Sequence, residues 1–501
     1  MSFLNDMLAT IAPGVAVARE KNKIALKALR KIEMRYDAAT AGRRGNSWSP
    51  VATDADTAAA QRQRLANVAR DMVRNTPFAT RAQQVIANNM VGDGIIPKIQ
   101  GGTDTQKKSL RALFEQLQQT AVLDAGGRNN LSGLQRLVAN TLVESGEVLI
   151  RRRRRQLADG LPVAMQIEVL EPDLLDVGMW GKRANGNTIK DGIEYNKIGR
   201  REAYYLFSEH PGQSGILSRM DSKRVPASEI LHIYRQDRPG QQRGVSWFAP
   251  VALRLQDLAD HQDAQLMRQK IAACFAAFRV TPDGEPEAAV GAASTSGDRF
   301  TTLEPGRIED LAAGEDIRFS DPPGVSGYDE FTRNVLREAA AGLGITYEAL
   351  TGDLSGVNFS SGRMGRMEMD RNISSWQRTL LMPQMLQPLS MWILQEWQFA
   401  QGRPVEGVTI GWVPPARILV DPAREIPPLI KKVRAGFTSR SEVIRSLGHD
   451  PERVEEEIIA DNLRADNSKL IFDSDARPVP PAPDAQAADK GQDDKKRSDK
   501  E

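Results

Sequence analysis

Between Gly344 and Arg366 the chain reads GITYEALTGDLSGVNFSSGRMGR, and this run gathers the polar groups best suited to meet a ligand. Asp353, Ser355, Asn358, Ser360 and Ser361 offer a carboxylate, an amide and hydroxyls, and Arg363 adds a guanidinium able to hold a phosphate. Gly352, Gly356 and Gly362 stand among them, and glycine mixed with Asp, Asn and Ser favours turns over helix interior. The pattern predicts a polar loop from Asp353 to Gly362. Such a loop is either a lid over an active site or a finger reaching toward a ligand or a channel.

A lid needs a nucleophile, a base and an acid converging beneath it, and the sequence offers only scattered carboxylates. A phosphate-binding loop of the form GxxxxGK[ST] is absent; Gly181-Lys182 is followed by Arg183 and lacks the upstream glycine. No GxSxG elbow occurs, and Cys274, the sole cysteine, has no basic neighbour in sequence to activate it. The four histidines are dispersed. Only Asp257, His261 and Asp263 form a possible ligand group on one helix, and charges on a polar helix face are commoner than metal sites. No catalytic residue, metal or cofactor is expected. The most conspicuous charge run, EVLIRRRRR from Glu147 to Arg155, is compatible with phosphate binding, but is better read as a strand whose outer half is solvated or pairs with acids on a neighbouring subunit.

The elements that must position the loop are helical. Ser326–Ala341 has a capping serine, acids at Asp329 and Glu330, and Phe331, Val335 and Ala339 at intervals of four. Beyond the loop, Ile373, Trp376, Leu380, Leu386, Leu389, Ile393 and Trp397 keep helical spacing, while Pro383 and Pro388 predict a kink or two consecutive helices. Val245–Phe278 reads as one helix about 45 to 50 Å long. Leu255, Leu258, Leu266 and Ile271 would pack there, with Arg254, Asp257, Asp260, Asp263, Arg268 and Lys270 on its polar remainder.

Upstream, Val17–Arg35 suits a basic amphipathic helix and Ala38–Thr53 an extended arm. Asp54–Met90 is helical with a break at Pro77 and with Leu65, Val68 and Met72 on one face. A strand at Ile95–Ile99, helices over Thr105–Ser145 and strand patterns at Met165–Leu170, near Tyr195, at Ala203–Phe207 and at Glu229–Tyr234 predict an α+β domain over 46–243. Downstream, Val408–Val413 reads as a strand, Thr438–Gly448 as a short capped helix, and the chain from Asp473 as a disordered tail.

Charge and length bound the function. The chain has 501 residues, and 67 Lys plus Arg against 65 Asp plus Glu leave a formal charge of +2. This near balance argues against a protein that grips nucleic acid through many phosphates, and is compatible with one that lets DNA slide. One cysteine excludes an internal disulfide, and no apolar run reaches the roughly 20 residues of a membrane helix. No signal peptide is expected, and synthesis and assembly in cytosol without a membrane fit.

The run LGITYEALTGDLSGVNFSSGRMGRMEMDR closely resembles the corresponding region of lambda-type bacteriophage portal proteins. RYDAAT followed by Arg43 and Arg44, then RDMVRNTPFA leading to NNMVGDGIIP, then ILHIYRQDRPGQQRGVSWFAP, match the same family in order, so the resemblance spans roughly Met34 to Gly448. It implies a helix-rich α+β fold of portal type, built of wing, stem, clip and tunnel loop, and a ring, dodecameric in the family, at one capsid vertex of the virion. By position, 1–45 would be a basic helix and arm that embraces a neighbour, 46–243 the wing, 244–278 the first stem helix and 279–323 the clip. The second stem helix would be 324–349, the tunnel loop 350–362, a long kinked helix 363–402, a wing or crown-like region 403–470 and the tail 471–501. On this footing the six loop residues would face DNA, the polar stem residues would line or join the ring, and Arg299, Arg307 and Glu309 of the clip would face the motor or the tail. Implied partners are further copies of the chain, double-stranded DNA, the terminase large subunit, a head-completion or tail connector protein, and the major capsid protein and scaffold. Two rivals remain at this stage, a hydrolase with a glycine-rich lid and a monomeric DNA-binding adaptor.

Overall fold

A computed structural model describes residues 54–56, 59–213, 221–274, 277–280, 316–319, 327–402, 407–416 and 421–472, with isolated positions 14, 21 and 22. The expected N-terminal helix and arm, nearly all of the clip with Arg299, Arg307 and Glu309, and the tail from Asp473 lie outside the described residues. The chain divides into a unit ending at Thr57 and a larger unit beginning at Ala58. All that follows concerns the larger unit.

Helices α1 (Ala59–Asn75), α2 (Pro77–Val91), α3 (Asp104–Gln119) and α4 (Leu131–Ser145) build the first layer. Pro77 opens α2, where its missing N–H costs nothing, and Thr103 with Gln106 closes a capping box on α3. Ala69 and Met72 of α1, Ala82, Ile86 and Met90 of α2 and Leu134, Val138 and Leu142 of α4 meet in one core. The expected α1 face shifts slightly: Val68 is exposed, and Ala66 and Ala69 are buried in its place. Between α2 and α3, β1 (Ile96–Gln100) pairs antiparallel with β12 (Thr409–Val413), Ile99 opposite Ile410.

From α4 the chain turns at Gly146 into β2 (Glu147–Arg154), which lies between β3 (Met165–Leu170) and β9 (Ile230–Tyr234) in an antiparallel sheet. Gly146 sits at φ 83°, and a Cβ there would stand 2.0 Å from the Val245 carbonyl carbon, so both conformation and space demand glycine. Side chains alternate along β2: Val148 and Ile150 face the helical core, whereas Leu149 joins a second core with Ile193, Tyr204, Leu206 and Val225. That second core is supplied by an antiparallel meander, β4 (Gly181–Lys182), β5 (Thr188–Lys190), β6 (Ile193–Tyr195), β7 (Arg201–Phe207) and β8 (Ser222–Pro226).

The long helix expected over Val245–Phe278 is shorter. Helix α5 runs Ala252–Cys274, about 34 Å at 1.5 Å per residue. Residues 245–251 turn instead, because the Trp247 N–H donates to the Val143 carbonyl at 3.2 Å, the Ser246 hydroxyl accepts from the Phe248 N–H, and Pro250 has no N–H to give. Its far end is also trimmed, since 277–280 form β10 (Ala277–Val280), paired with β11 (Asp316–Phe319). Helix α6 (Tyr328–Leu343) begins after Gly327, while Ser326 lies outside the described residues. Leu255 and Leu258 of α5 share the core with Val335, Leu336 and Ala339 of α6.

After a short α7 (Tyr347–Thr351) and a loop, α8 (Phe359–Trp376) passes into a π-helical segment, Gln377–Leu386, and on into α9 (Gln387–Gln401). Pro383 lies inside the π segment and Pro388 in the first turn of α9, so the expected interruption is a run of wider turns that tolerates the lost donor. Two glutamines from the π segment are used as brackets: Gln377 Nε2 donates to the Met90 carbonyl at 2.8 Å, and Gln384 Oε1 accepts from the Tyr234 N–H at 3.0 Å. The described chain closes with α10 (Pro422–Arg434), α11 (Arg440–Ser446) and α12 (Pro451–Ser468).

Candidate functional site: the 352–358 loop and its supports

The polar loop is shorter than its glycines suggest. Gly352 ends α7 in the left-handed conformation at φ 77°, and α8 begins at Phe359, so the loop spans 352–358. Asn358 is the N-cap. Its Oδ1 accepts from the Ser361 N–H at 2.8 Å, and Ser361 Oγ accepts from the Asn358 N–H at 3.2 Å. Ser360, Ser361, Gly362 and Arg363 are therefore in the first turns of a helix, not in the loop. Asn358→Ala should cost about 1 kcal/mol and speed amide exchange at 359–362; unchanged exchange there would mean that another feature starts the helix.

Asp353 organises the loop from within. Its Oδ1 accepts from the Ser355 N–H at 3.0 Å and hydroxyl at 2.6 Å, and its Oδ2 accepts from the Tyr347 hydroxyl at 3.3 Å. The hydrogen bonds from Ser355 hold its carboxyl below the usual range. Arg363 lies 3.9 Å from Glu425 of α10. Leu354, which sequence reasoning passed over, is 67% exposed at the tip of the loop. An apolar residue between two turn formers carries no periodicity, so only its position marks it. The loop is carried on two supports: Leu350 of α7 lies in the core, and at the surface Arg81 Nε of α2 donates to the Ala349 carbonyl at 3.3 Å.

The six polar residues of α5 do not gather into one site. Arg254 lies 4.0 Å from Asp257 and 3.6 Å from Glu338 on α6, and Asp260 accepts from Gln256 at 2.9 Å. Asp263, Arg268 and Lys270 are exposed farther along the helix. His261 does not join Asp257 and Asp263 as a ligand; its ring stacks on Tyr328 and packs against Phe331, with centroids 5.8 and 4.6 Å away. Since Arg254 meets Glu338 and His261 meets Tyr328, α5 and α6 run antiparallel. Leu266, expected to pack, is exposed.

The arginine run is a strand, but acids of the same chain meet it. Arg152 pairs with Glu396 of α9, Arg153 with Glu168 at 2.5 Å and Arg154 with Glu229 at 2.6 Å. Of the two expectations for the outer half, solvation holds for Arg154 and Arg155, which are exposed, while the acids that meet the run come from its own chain rather than from a neighbouring subunit, because β3 and α9 bring carboxylates alongside. Phosphate binding by the run is disfavoured for the same reason.

At the head of that strand lies a buried charged centre that the sequence did not single out. Glu147 is fully enclosed and accepts from Arg243 Nε at 2.9 Å and Nη2 at 2.5 Å, from the Gly244 N–H at 2.9 Å and from His232 Nε2 at 2.9 Å. Burial alone would push the Glu147 carboxyl up; the charge of Arg243 and the hydrogen bonds from His232 and Arg243 hold it far below the usual range. Burial pushes His232 down to about 4 despite the pull of Glu147. The centre joins β2, β9 and the loop over 238–244, and a carboxylate opening an apolar strand was its only sequence signal.

Among the described residues the ligand-capable cluster is Glu171, Asp173 and His210. The Arg70 guanidinium already pairs with Asp173 and lies 3.7 Å from Glu171, supplying the positive charge that a metal ion would bring. A cavity of about 720 Å³ is lined by Asn88, Asp93, Arg366, Gln377, Trp412 and Glu442, among others. None of its lining residues comes from 352–358, so the loop is not a lid over it.

The sequence matches a family described as phage portal protein, lambda family, over residues 41–377. A "Probable portal protein" of Halomonas phage phiHAP-1 is 25% identical over 452 residues, covering 84% of this chain and 85% of the relative. Portal protein B of Escherichia phage lambda is 21% identical over 299 residues, 52% of this chain and 56% of the relative. Among solved structures, the neck of an empty gene transfer agent particle aligns with a TM-score of 0.44 and 15% identity over 81% of this chain and 95% of that one. An HK97 family phage portal protein from Corynebacterium diphtheriae aligns with a TM-score of 0.30 and 10% identity over 60% and 85%. Both structural likenesses are too weak to set individual elements in correspondence.

Proposed function

Because the chain belongs to the lambda family of phage portal proteins, structural components of the virion at the capsid vertex, we propose that its copies join head to tail into a closed ring, twelve in number, that conducts DNA. A heterologous interface repeated around an axis closes into such a ring. The match over residues 41–377 is the observation that carries the reading. In the ring, α5 and α6 would form the stem, the 352–358 loop would project into the channel, and the residues between β10 and β11 would form the clip. The terminase large subunit would dock there during packaging and a head-completion or tail connector protein afterwards, with capsid protein and scaffold around the wing and assembly in the host cytoplasm.

The near-neutral charge supports a conduit with weakly binding walls over a monomeric adaptor, since tight DNA binding needs many phosphates neutralised. The hydrolase reading finds no support in the loop, which covers no catalytic constellation among the described residues. Light scattering and electron-microscope class averages of the purified protein test the proposal. Twelve-fold rings with a hole wide enough for duplex DNA are expected. A persistent monomer across salt and concentration would overturn it.

A further inference from the structure

Helix α10 is weakly held in a single copy, with Arg363 of α8 3.9 Å from its Glu425. It has two internal prolines, Pro427 and Pro428, which weaken a helix, and none of its residues is buried. Yet it is strongly amphipathic: Ile426 and Ile430 are 45% and 48% exposed on one stripe that continues to Arg434. Helix α12 has the complementary form. Its start is tied to α3 by Arg111, 3.1 Å from Glu452 and 2.6 Å from Glu456, but Ile459 and Leu463 farther along are 60% and 58% exposed, on a stripe that begins at Glu455.

The two stripes match in spacing and in charge. Each has an aliphatic pair four residues apart with a charged residue four positions beyond one end, C-terminal in α10 and N-terminal in α12. Rows of i, i+4 side chains are the ridges that interdigitate when helices pack. Set antiparallel, Ile430 falls on Ile459, Ile426 on Leu463 and Arg434 on Glu455. Helix α10 carries four basic residues and one acid; α12 carries six acids and two basic residues. Bases in a last turn and acids in a first turn also complement each helix's own dipole, but that leaves the four aliphatic side chains in water. We propose that α10 of one copy packs antiparallel on α12 of the next, forming one of the seams that close the ring. The inference rests on the ring reading above and names a contact within it.

The test uses the full chain with Cys274→Ser, which removes the sole natural cysteine, and with Ile430→Cys and Ile459→Cys together. Mild oxidation should yield a ladder of multimers on a non-reducing gel, ending at the ring's own size and collapsing with reductant. Either cysteine alone should give no dimer, while an equimolar mixture of the two single variants should give dimers and nothing larger. Rings of normal mass without a ladder, dimers from one single variant, or a crosslink confined within one chain would each overturn the contact and leave the ring reading standing. A parent chain that stays monomeric overturns both. As a check that involves no thiol, Arg434→Glu should lower the ring fraction at low salt about tenfold and Glu455→Arg in the same chain should restore it; loss without restoration would also count against the contact.

Discussion

Arg243→Ala is expected to destabilise the folded chain by about 3–5 kcal/mol, the cost of leaving a buried carboxylate without its cation. Arg243 and Glu147 are both enclosed, and the guanidinium donates to both carboxylate oxygens. Once it is removed, only the Gly244 N–H and His232 remain to hold the charge. Much of the loss should be recovered by adding Glu147→Gln, which keeps an acceptor for the Gly244 N–H and removes the unpaired charge. Urea unfolding followed by tryptophan fluorescence measures both. A loss under 1 kcal/mol in the single variant would mean that water reaches the site or that another cation replaces Arg243.

The same centre sets a pH dependence. His232 is held neutral in the fold, with its pKa lowered from 6.5 to about 4, so between those values the unfolded chain binds a proton that the folded chain refuses. Stability therefore falls as the pH drops from 6.5 toward 4. Glu147 is displaced downward too, so its contribution is present above the ordinary carboxylate range and is lost only as the pH falls through its lower folded value. Acidification should remove stability in two stages, histidine first. His232→Gln, which can still donate to Glu147, should abolish the first stage and leave the second.

What could be read from the sequence was local. The β2 strand was legible because Val148, Leu149 and Ile150 precede a polar half, and the breaks at Pro77 and Pro383 follow from a missing N–H. Its partners were not legible: Arg152 finds Glu396, Glu147 finds Arg243, and Ile99 finds Ile410, pairings across long stretches of chain that no local pattern encodes. The start of α5 was placed too early although Ser246 and Pro250 are themselves turn and breaker signals; the Trp247 N–H donates to Val143 and the Ser246 hydroxyl accepts from Phe248, which holds 245–251 out of the helix. The loop shows both sides. Its place between helices was evident, but counting glycines carried its end to Gly362, although Asn358 three residues before Ser361 is itself a capping signal. Helix α12 was not legible because its run of acids masks the i, i+4 spacing of Glu455, Ile459 and Leu463.

Removing Leu354–Gly356 while keeping Gly352, Asp353 and Asn358 is expected to leave ring formation intact and to abolish DNA packaging or retention. The loop is anchored by contacts outside the deleted segment: Gly352 ends α7, Asn358 caps α8, and Arg81 holds the Ala349 carbonyl. The deletion therefore shortens the projection without unseating the helices that carry it. The geometry also bears on which groups would meet DNA in the proposed channel. Asp353 is half-buried and accepts from Ser355 and Tyr347, whereas Leu354, Ser355, Asn358, Ser360, Ser361 and Arg363 are all exposed, so the loop and the start of α8 present an apolar tip flanked by hydroxyls, one amide and one guanidinium. An apolar tip with few charges forms weak, sequence-independent contacts, as a sliding duplex requires, and tight binding by neutralised phosphates would stall it. Arg363→Ala should then alter packaging far less than the deletion does. The measurement is the yield of DNA-filled particles from each variant, alongside ring mass by light scattering. Normal filling by a loop-deleted ring would show that the loop is not a working part of the channel; a deletion that also abolishes rings would place it at the subunit interface instead.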